Sequence, residues 1–327
     1  MRAILCREFG PPESLILEEV ADPCAGRGEV VVEVHACAVN FPDVLIIQNL
    51  YQFKPSLPFS PGAEVAGVVS EVGEGVTAVG VGDRVLASTG WGGLAEKVAV
   101  SASACIPVPA EIDLVHASAF LYAYGTSQHA LIDRGHIQPG EVLLVLGAAG
   151  GVGLAAVELG VLLGATVIAA ASTDEKLALC REYGATHTIN YTDEDLKLRV
   201  RELTGGRGAD VIYDAVGGQY SEPALRAIAW EGRFLVVGFA AGDIPKIPLN
   251  LALLKGCEIV GVFWGAFVGR DPERHRRNAS ELMQWWQQGK LRPHVSSIYP
   301  LERAGEALRE LADRKALGKV VVNVVEA

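Results

Sequence analysis

With 327 residues and a mass of 34.6 kDa, the chain is longer than one hydrophobic core usually serves, so two domains are expected. Its formal charge of -11 at pH 7 repels the phosphates of nucleic acids and anionic membranes, which points to a small-molecule or protein partner. The 6 cysteines (Cys6, Cys24, Cys37, Cys105, Cys180, Cys257) form no C-x-x-C pair and have no histidine at ligand spacing, so reduced thiols and no metal site are expected.

The opening MRAILCREFG has no sustained apolar core; no secretory leader is expected, and cytoplasmic residence is the default. Up to about residue 120 the pattern is β-rich, with Val30, Val32 and Val34 alternating and EVAGVVSEVGEGV and GDRVLAS punctuated by glycines at turn positions. This predicts a compact, mostly antiparallel unit. From Val142 to Thr173 the only charge is Glu158, a run long enough for a membrane span. Gly147, Gly150, Gly151 and Gly153 break it into an apolar strand, a tight loop, a helix and a second strand, so no membrane segment is expected.

The rhythm from Glu141 is EVLLVL, a helix after Gly153, TVIAAAS, a helix from Asp174 and THTINY. A helix near 193–203, ADVIYD, a helix around 221–229, GRFLVVG and CEIVGVF follow. Six strands separated by crossovers predict an α/β, doubly wound parallel sheet. Ser172 opens S-T-D-E, a capping box for the next helix. Beyond Gly265 the pattern is helical, with Leu282, Trp285 and Trp286 in one amphipathic segment and AGEALRELADRK in another, before a strand KVVVNV. This tail is too short to fold alone. It is expected to pack on the N-terminal unit, giving a discontinuous domain, 1–122 with 266–327, around a second domain at 123–265.

GAAGGVG at 147–153 follows a predicted strand and precedes a predicted helix. Against G-x-G-x-x-G, Ala148 replaces the first glycine, while Gly150 and Gly153 keep the second and third. Gly150 admits a pyrophosphate to the backbone, Gly153 lets the helix pack closely, and the helix N-terminus offers N–H groups and dipole. A plain tight turn is the alternative; the flanking strand and helix favour dinucleotide binding. At the end of the second strand, where NAD-binding sheets usually carry Asp or Glu for the ribose hydroxyls, the chain has Ser172. A hydroxyl accepts a 2′-phosphate that a carboxylate would repel, and Lys176, one helical turn on, supplies positive charge. NADPH is therefore the expected cofactor, although Ser172 as a simple cap and Lys176 as a solvated side chain are compatible with the same sequence.

Taken with VNFPD at 39–43, PGAEVAGVV at 61–69, GDRV at 82–85, YGT at 124–126, YDAVGG at 213–218 and GKVV at 318–321, the glycine loop resembles that of the medium-chain dehydrogenase/reductase superfamily. Within it, the chain is similar to the zinc-free NADPH:quinone oxidoreductases related to zeta-crystallin. The resemblance implies a GroES-like β-rich catalytic domain and a Rossmann domain, with NADPH held between them and hydride passed to a small-molecule electron acceptor, preferably a quinone. It places Asn40, Asp43 and Tyr51 at the nicotinamide pocket as the catalytic candidates, with Leu45 where the family has a second tyrosine. Cofactor contacts fall on Asn40, Thr126, Ala149, Gly150, Gly151, Val152, Gly153, Ser172, Lys176, Tyr191, Phe239, Phe263, Trp264 and Arg314. Zinc-dependent members carry Cys, His and Cys where this chain has Asn40, Ala63 and Tyr122, none of them a usual zinc ligand. Edge-to-edge pairing near CEIVGVF into a homodimer is also implied.

Reduction of an activated C=C bond in an enone, alkenal or enoyl thioester shares every one of these motifs. A non-catalytic NADPH-binding protein of crystallin type, or an RNA-binding one, is the alternative from another class, and the negative charge weighs against RNA. Tyr51 is read either as a proton donor or as an ordinary loop tyrosine, Asp43 either as a pocket residue or as an ion-pair partner at a loop base, and Tyr122 either as a cleft residue or as packing. His35, His116 and His129 are read as structural. RDPERHRRN at 270–278 is either a solvated helix start or a site for the phosphates of a coenzyme A thioester.

Overall fold

The computed structural model describes residues 1–325. It divides into two compact units, Met1–Tyr122 with the chain from Pro293 onward, and Ala123–Arg292. The first unit opens with strands β1 (Arg2–Leu5), β2 (Ile16–Glu19) and β3 (Glu29–Val39), helix α1 (Phe41–Ile46), strands β4 (Glu64–Val72), β5 (Arg84–Ser88), β6 (Lys97–Ser101) and β7 (Cys105–Pro107), and helix α2 (Leu114–Ser118). Helix α3 (Leu121–Gln128) enters the second unit and continues as a π-helical stretch, His129–Arg134. Then come β8 (Val142–Leu146), α4 (Gly151–Leu162), β9 (Thr166–Ala171), α5 (Asp174–Glu182), β10 (His187–Asn190), α6 (Leu196–Leu203) and β11 (Ala209–Asp214). Helix α7 (Ser221–Arg226), β12 (Ile228–Val236), α8 (Asn250–Lys255), β13 (Glu258–Gly261), α9 (Trp264–Arg270) and α10 (Pro272–Gln287) complete it. The chain returns to the first unit with β14 (Val295–Pro300), α11 (Ala304–Ala312) and β15 (Lys319–Asn323).

In the first unit a sheet of order β14-β15-β3-β4-β5-β7, with β6 also paired to β3, gives the GroES-like architecture. All its pairs are antiparallel except β14 with β15. The alternation read in β3 holds only around Glu33, because Val31 is buried as well and so is every residue from Ala36 to Val39. Val30, Val32 and Val34 are fully buried among Val65, Val69, Val85 and Leu308, whereas Glu33 between them faces solvent.

The second unit is a six-stranded, wholly parallel Rossmann sheet of order β10-β9-β8-β11-β12-β13. β8 reads VLLVL and is buried along its whole length, as an interior strand covered on both faces must be. Growth of the sheet reverses between β8 and β11, which puts a ligand crevice at the C-terminal ends of these strands.

Three local expectations shift. The second unit runs on to Arg292, past the end expected at residue 265, because α10 is bonded within it. Gln128 donates to Glu281 at 2.7 Å, and Arg274 and Asn278 donate to Asp133 at 2.5 and 2.9 Å. The helix expected over 221–229 stops at Arg226, since Ile228 already belongs to β12. Thr173, not Ser172, caps α5, its hydroxyl accepting from the Lys176 N–H at 3.3 Å. Either side chain can cap; β9 ends at Ala171 and α5 begins only at Asp174, one residue later than the capping box suggests.

Candidate functional site

In the second unit β8 ends at Leu146 and the chain turns at Gly147, whose φ of +67° lies in the region that favours glycine. Gly147 thus makes the turn one residue before Ala148, which stands where the motif has its first glycine. Gly150 is the N-cap of α4 with no side-chain cap, so the first-turn N–H groups of Gly151, Val152 and Gly153 make a cradle that could hold an anion. A Cβ on Gly150 would meet nothing closer than the Gly147 carbonyl oxygen at 3.5 Å, whereas one on Gly153 would stand 2.1 Å from that same oxygen. Gly150 therefore leaves backbone open to a ligand and Gly153 permits the helix to pack. Ala149 lies buried in the same turn.

Thr126 is buried on α3; the adjacent Ser127 hydroxyl donates to the Val152 carbonyl at 2.7 Å, fixing α3 to the first turn of α4. Trp264 packs over Gly125, where a Cβ would come within 3.0 Å of the indole. At the end of β9 the Lys176 ammonium donates to the Ser172 hydroxyl at 3.3 Å, and Tyr191, just past β10, lies with its ring 4.3 Å from that of Tyr220. Phe239 follows β12 and packs on Gly217; Phe263 follows β13 and is half exposed. The glycine loop, Ser172, Lys176, Tyr191, Phe239, Phe263 and Trp264 thus all stand after the C-terminal ends of parallel strands. Arg314 belongs to the other unit, in the turn after α11.

In the first unit the sequence candidates meet a buried polar cluster. Asn40 Oδ1 accepts from Lys319 Nζ at 2.5 Å, and Asn40 Nδ2 donates to the Ala38 carbonyl and to Glu64 Oε2, both at 3.3 Å. Lys319 Nζ also donates to Glu64 Oε2 at 3.1 Å, and Glu64 Oε1 accepts the backbone N–H of Tyr122 at 2.7 Å. Asp43 accepts the backbone N–H of Asn40 at 2.7 Å and of Gly62 at 3.2 Å, closing the start of α1. Burial pushes its carboxyl up to about 7, against the opposing pull of those N–H groups and of Lys319. The hydroxyls of Tyr51 and Tyr122 hydrogen-bond to each other, and burial lifts both phenols above the ordinary tyrosine range, so both keep their protons. Leu45 stands half-buried on α1.

The chain matches the family model described as Alcohol dehydrogenase GroES-like domain over residues 26–110 and that described as Zinc-binding dehydrogenase over residues 151–285. A quinone oxidoreductase-like protein 2 homolog from Nematostella vectensis is 43% identical over 326 residues, covering 98% of this chain and 88% of that protein. The crystal structure of Escherichia coli quinone oxidoreductase complexed with NADPH superposes with a TM-score of 0.93 at 30% identity, covering 99% of this chain and 100% of that one. A mycobacterial protein solved in complex with NADPH gives a TM-score of 0.94 at 32% identity, covering 99% and 100%. The chain belongs to the medium-chain dehydrogenase/reductase superfamily, in its quinone oxidoreductase family. It is an oxidoreductase of that family.

The zinc named in one family description does not suit the residues present. The Asn40 amide is committed to an ammonium and a carboxylate, Ala63 has no donor atom, and the Tyr122 phenol is paired with Tyr51 and held protonated. Among the described residues no group of three or more His, Cys, Asp or Glu is placed to hold a metal ion. A dinucleotide fits the second unit better: the cradle, the hydroxyl with its ammonium, and the aromatic rings match phosphate, ribose phosphate and base in turn.

Glu64 and Lys319 escaped the sequence reading. The available signal was a charge inside each of two apolar strands, EVAGVV and KVVVN, since buried charges are rare unless paired. The RDPERHRRN segment divides. Asp271 caps α10, Arg274 is committed to Asp133, His275 is buried, and Arg276 and Arg277 are exposed. His129 is likewise structural, bonded to Asp133 at 2.7 Å and stacked on Phe267.

Proposed function

We propose that this family member is an NADPH-dependent, zinc-independent reductase that transfers hydride to a quinone. The observation that carries the reading is the Ser172 hydroxyl with Lys176 Nζ 3.3 Å away at the end of β9, where a ribose-binding carboxylate would oppose a 2′-phosphate. NADPH supplies the hydride when bound; the protein binds and orients. The glycine cradle takes the pyrophosphate, Ser172 and Lys176 the 2′-phosphate, and Tyr191 the adenine end. Tyr51 and Tyr122 keep their protons and offer a hydrogen bond to an acceptor oxygen as negative charge develops on it.

The same phenol pair favours one second reading, reduction of a C=C bond conjugated to a carbonyl, which also builds charge on oxygen and then needs a proton. Of the arginines that could meet a coenzyme A acceptor, Arg274 is committed to Asp133, whereas Arg276 and Arg277 are exposed. We also read the protein as a cytoplasmic homodimer. Leu249, Leu253 and Leu254 on and beside α8 are 77%, 81% and 66% exposed, next to the edge strand β13, an apolar face suited to a second copy. Among the described residues no helix is long and apolar enough to cross a membrane.

The test is NADPH oxidation by purified protein with 1,4-benzoquinone and cyclohexenone in parallel, NADH as control. Quinone turnover with strong NADPH preference supports the reading; enone turnover alone replaces it with the second; turnover of neither refutes both. A monomeric mass by light scattering removes the dimer.

A further inference from the structure

Four chain segments far apart in sequence converge on one carboxylate. Glu64 is fully buried at the start of β4, next to Ala63. Its Oε2 accepts from Lys319 on β15 and from Asn40 at the head of α1; its Oε1 accepts the main-chain N–H of Tyr122 in the first turn of α3. Lys319 closes the ring by donating to Asn40 Oδ1. Both side chains of the ion pair are at most 6% exposed. Two segments held this way carry the two phenols: α1 leads directly to Tyr51, and Tyr122 is itself a bonded residue. The pair also borders the three positions where zinc-dependent relatives would place a ligand, Asn40 and Tyr122 by hydrogen bond and Ala63 by sequence.

We propose that Glu64, with Lys319 balancing its charge, is a positioning residue for hydride acceptance. It locks the heads of α1 and α3 together, so that Tyr51 and Tyr122 meet in one arrangement and present one oriented hydroxyl to the acceptor oxygen. Stability alone gives a weak reason for such a pair, because two charges removed from water and paired are often no better than apolar side chains of the same volume. Its bonds are instead spent on orientation, with every donor of the Asn40 amide used inward. The inference rests on the quinone-reducing function proposed above.

The test compares Glu64→Gln/Lys319→Met, Lys319→Arg, Tyr51→Phe and their combinations with the full-length wild type. Melting temperature, NADPH affinity by nicotinamide fluorescence, and kcat and KM with 1,4-benzoquinone are measured on each. Because the double substitution removes both charges together, it is expected to melt near the wild type and bind NADPH as tightly, while kcat falls at least tenfold. The kcat losses of the double substitution and of Tyr51→Phe are expected not to multiply, since both act through one hydroxyl. A double variant with wild-type kcat, or losses that multiply, overturns the proposal. If the double variant does not fold, Lys319→Arg decides: it keeps the charge but displaces the Asn40 amide. A severalfold drop in its kcat at unchanged NADPH affinity supports the proposal, and an unchanged kcat overturns it. A wild type that reduces no acceptor removes the functional reading and this inference with it, an outcome distinct from an active wild type whose variants are equally active.

Discussion

Replacing Gly150 and Gly153 separately with alanine should separate cofactor binding from folding, although the two glycines stand three positions apart in one loop. At Gly153 the added Cβ would lie 2.1 Å from the Gly147 carbonyl oxygen and 2.9 Å from Ala148 Cα, both backbone atoms that cannot move aside unless α4 lifts off β8. Such overpacking costs about 1–3 kcal/mol. For a unit of this size that corresponds to a melting point lower by about 2–12 °C. At Gly150 the nearest atom is 3.5 Å away and φ is −79°, a conformation alanine adopts freely. There the substitution should stabilise the free protein by about 0.4–1 kcal/mol by restricting the unfolded chain. Its methyl group, however, stands where a pyrophosphate meets the helix end. The assay is thermal melting with and without NADPH. Saturation at a hundred times Kd raises wild-type stability by about 2.7 kcal/mol, so the ligand-induced shift is readily measured. Gly150→Ala should melt at or above the wild-type temperature and lose most of that shift; Gly153→Ala should melt low without ligand. A Gly150→Ala protein with a full NADPH shift, or a Gly153→Ala protein with wild-type melting, refutes the reasoning.

Lys176→Ala removes the ammonium beside Ser172, a charged hydrogen bond of about 1.5–3 kcal/mol, and should weaken NADPH about ten- to a hundredfold while leaving NADH unchanged; fluorescence titration of both coenzymes checks it. Asp43 titrates near 7 in the folded protein against 3.8 for an ordinary aspartate, so the native state holds the extra proton between those values. Its contribution is therefore full below the lower value and falls as pH rises through the window, by up to about 1.4 kcal/mol per pH unit. Urea melts of wild type and Asp43→Asn from pH 4 to pH 7 should converge in that sense as the wild type loses stability, and parallel profiles would contradict it. Tyr51→Phe should lower quinone turnover about tenfold or more. Its effect on enone turnover should be far larger, about a hundredfold or more if the hydroxyl also delivers the proton. Equal losses on both acceptors would deny it that role.

What the sequence made legible is whatever depends on neighbours in the chain. β8 and β9 announce themselves as continuous apolar runs because interior parallel strands are buried on both faces, and GAAGGVG is recognisable because strand, turn and helix are consecutive. The error there is of one residue: Thr173 rather than Ser172 at the cap. The end of the second unit was not legible. The apolar stripe of α10 says that the helix packs on something, but its partners, Gln128 and Asp133, lie far back in the chain. The Glu64–Lys319 pair was beyond reach for the same reason, its members standing 255 positions apart.

This division follows from how the two units do their work. A dinucleotide is held largely by backbone: a helix end, a turn, a strand terminus. Even the one charge in the apolar run serves that purpose, since Glu158 on α4 accepts from the Tyr124 hydroxyl at 2.6 Å and from the Arg292 main-chain N–H, bracing the helix that carries the cradle. Burial lifts its carboxyl above the ordinary range, against the opposing pull of the Tyr124 hydroxyl and of Arg292. In the first unit the chemistry proposed above instead rests on side chains that only the folded sheet brings together, among them the Glu64 carboxylate bonded to the heads of α1 and α3. Substitutions in that cluster can retune the acceptor without touching the glycine loop. A family whose members share the cofactor motifs would accordingly diverge in substrate through residues that no local motif records.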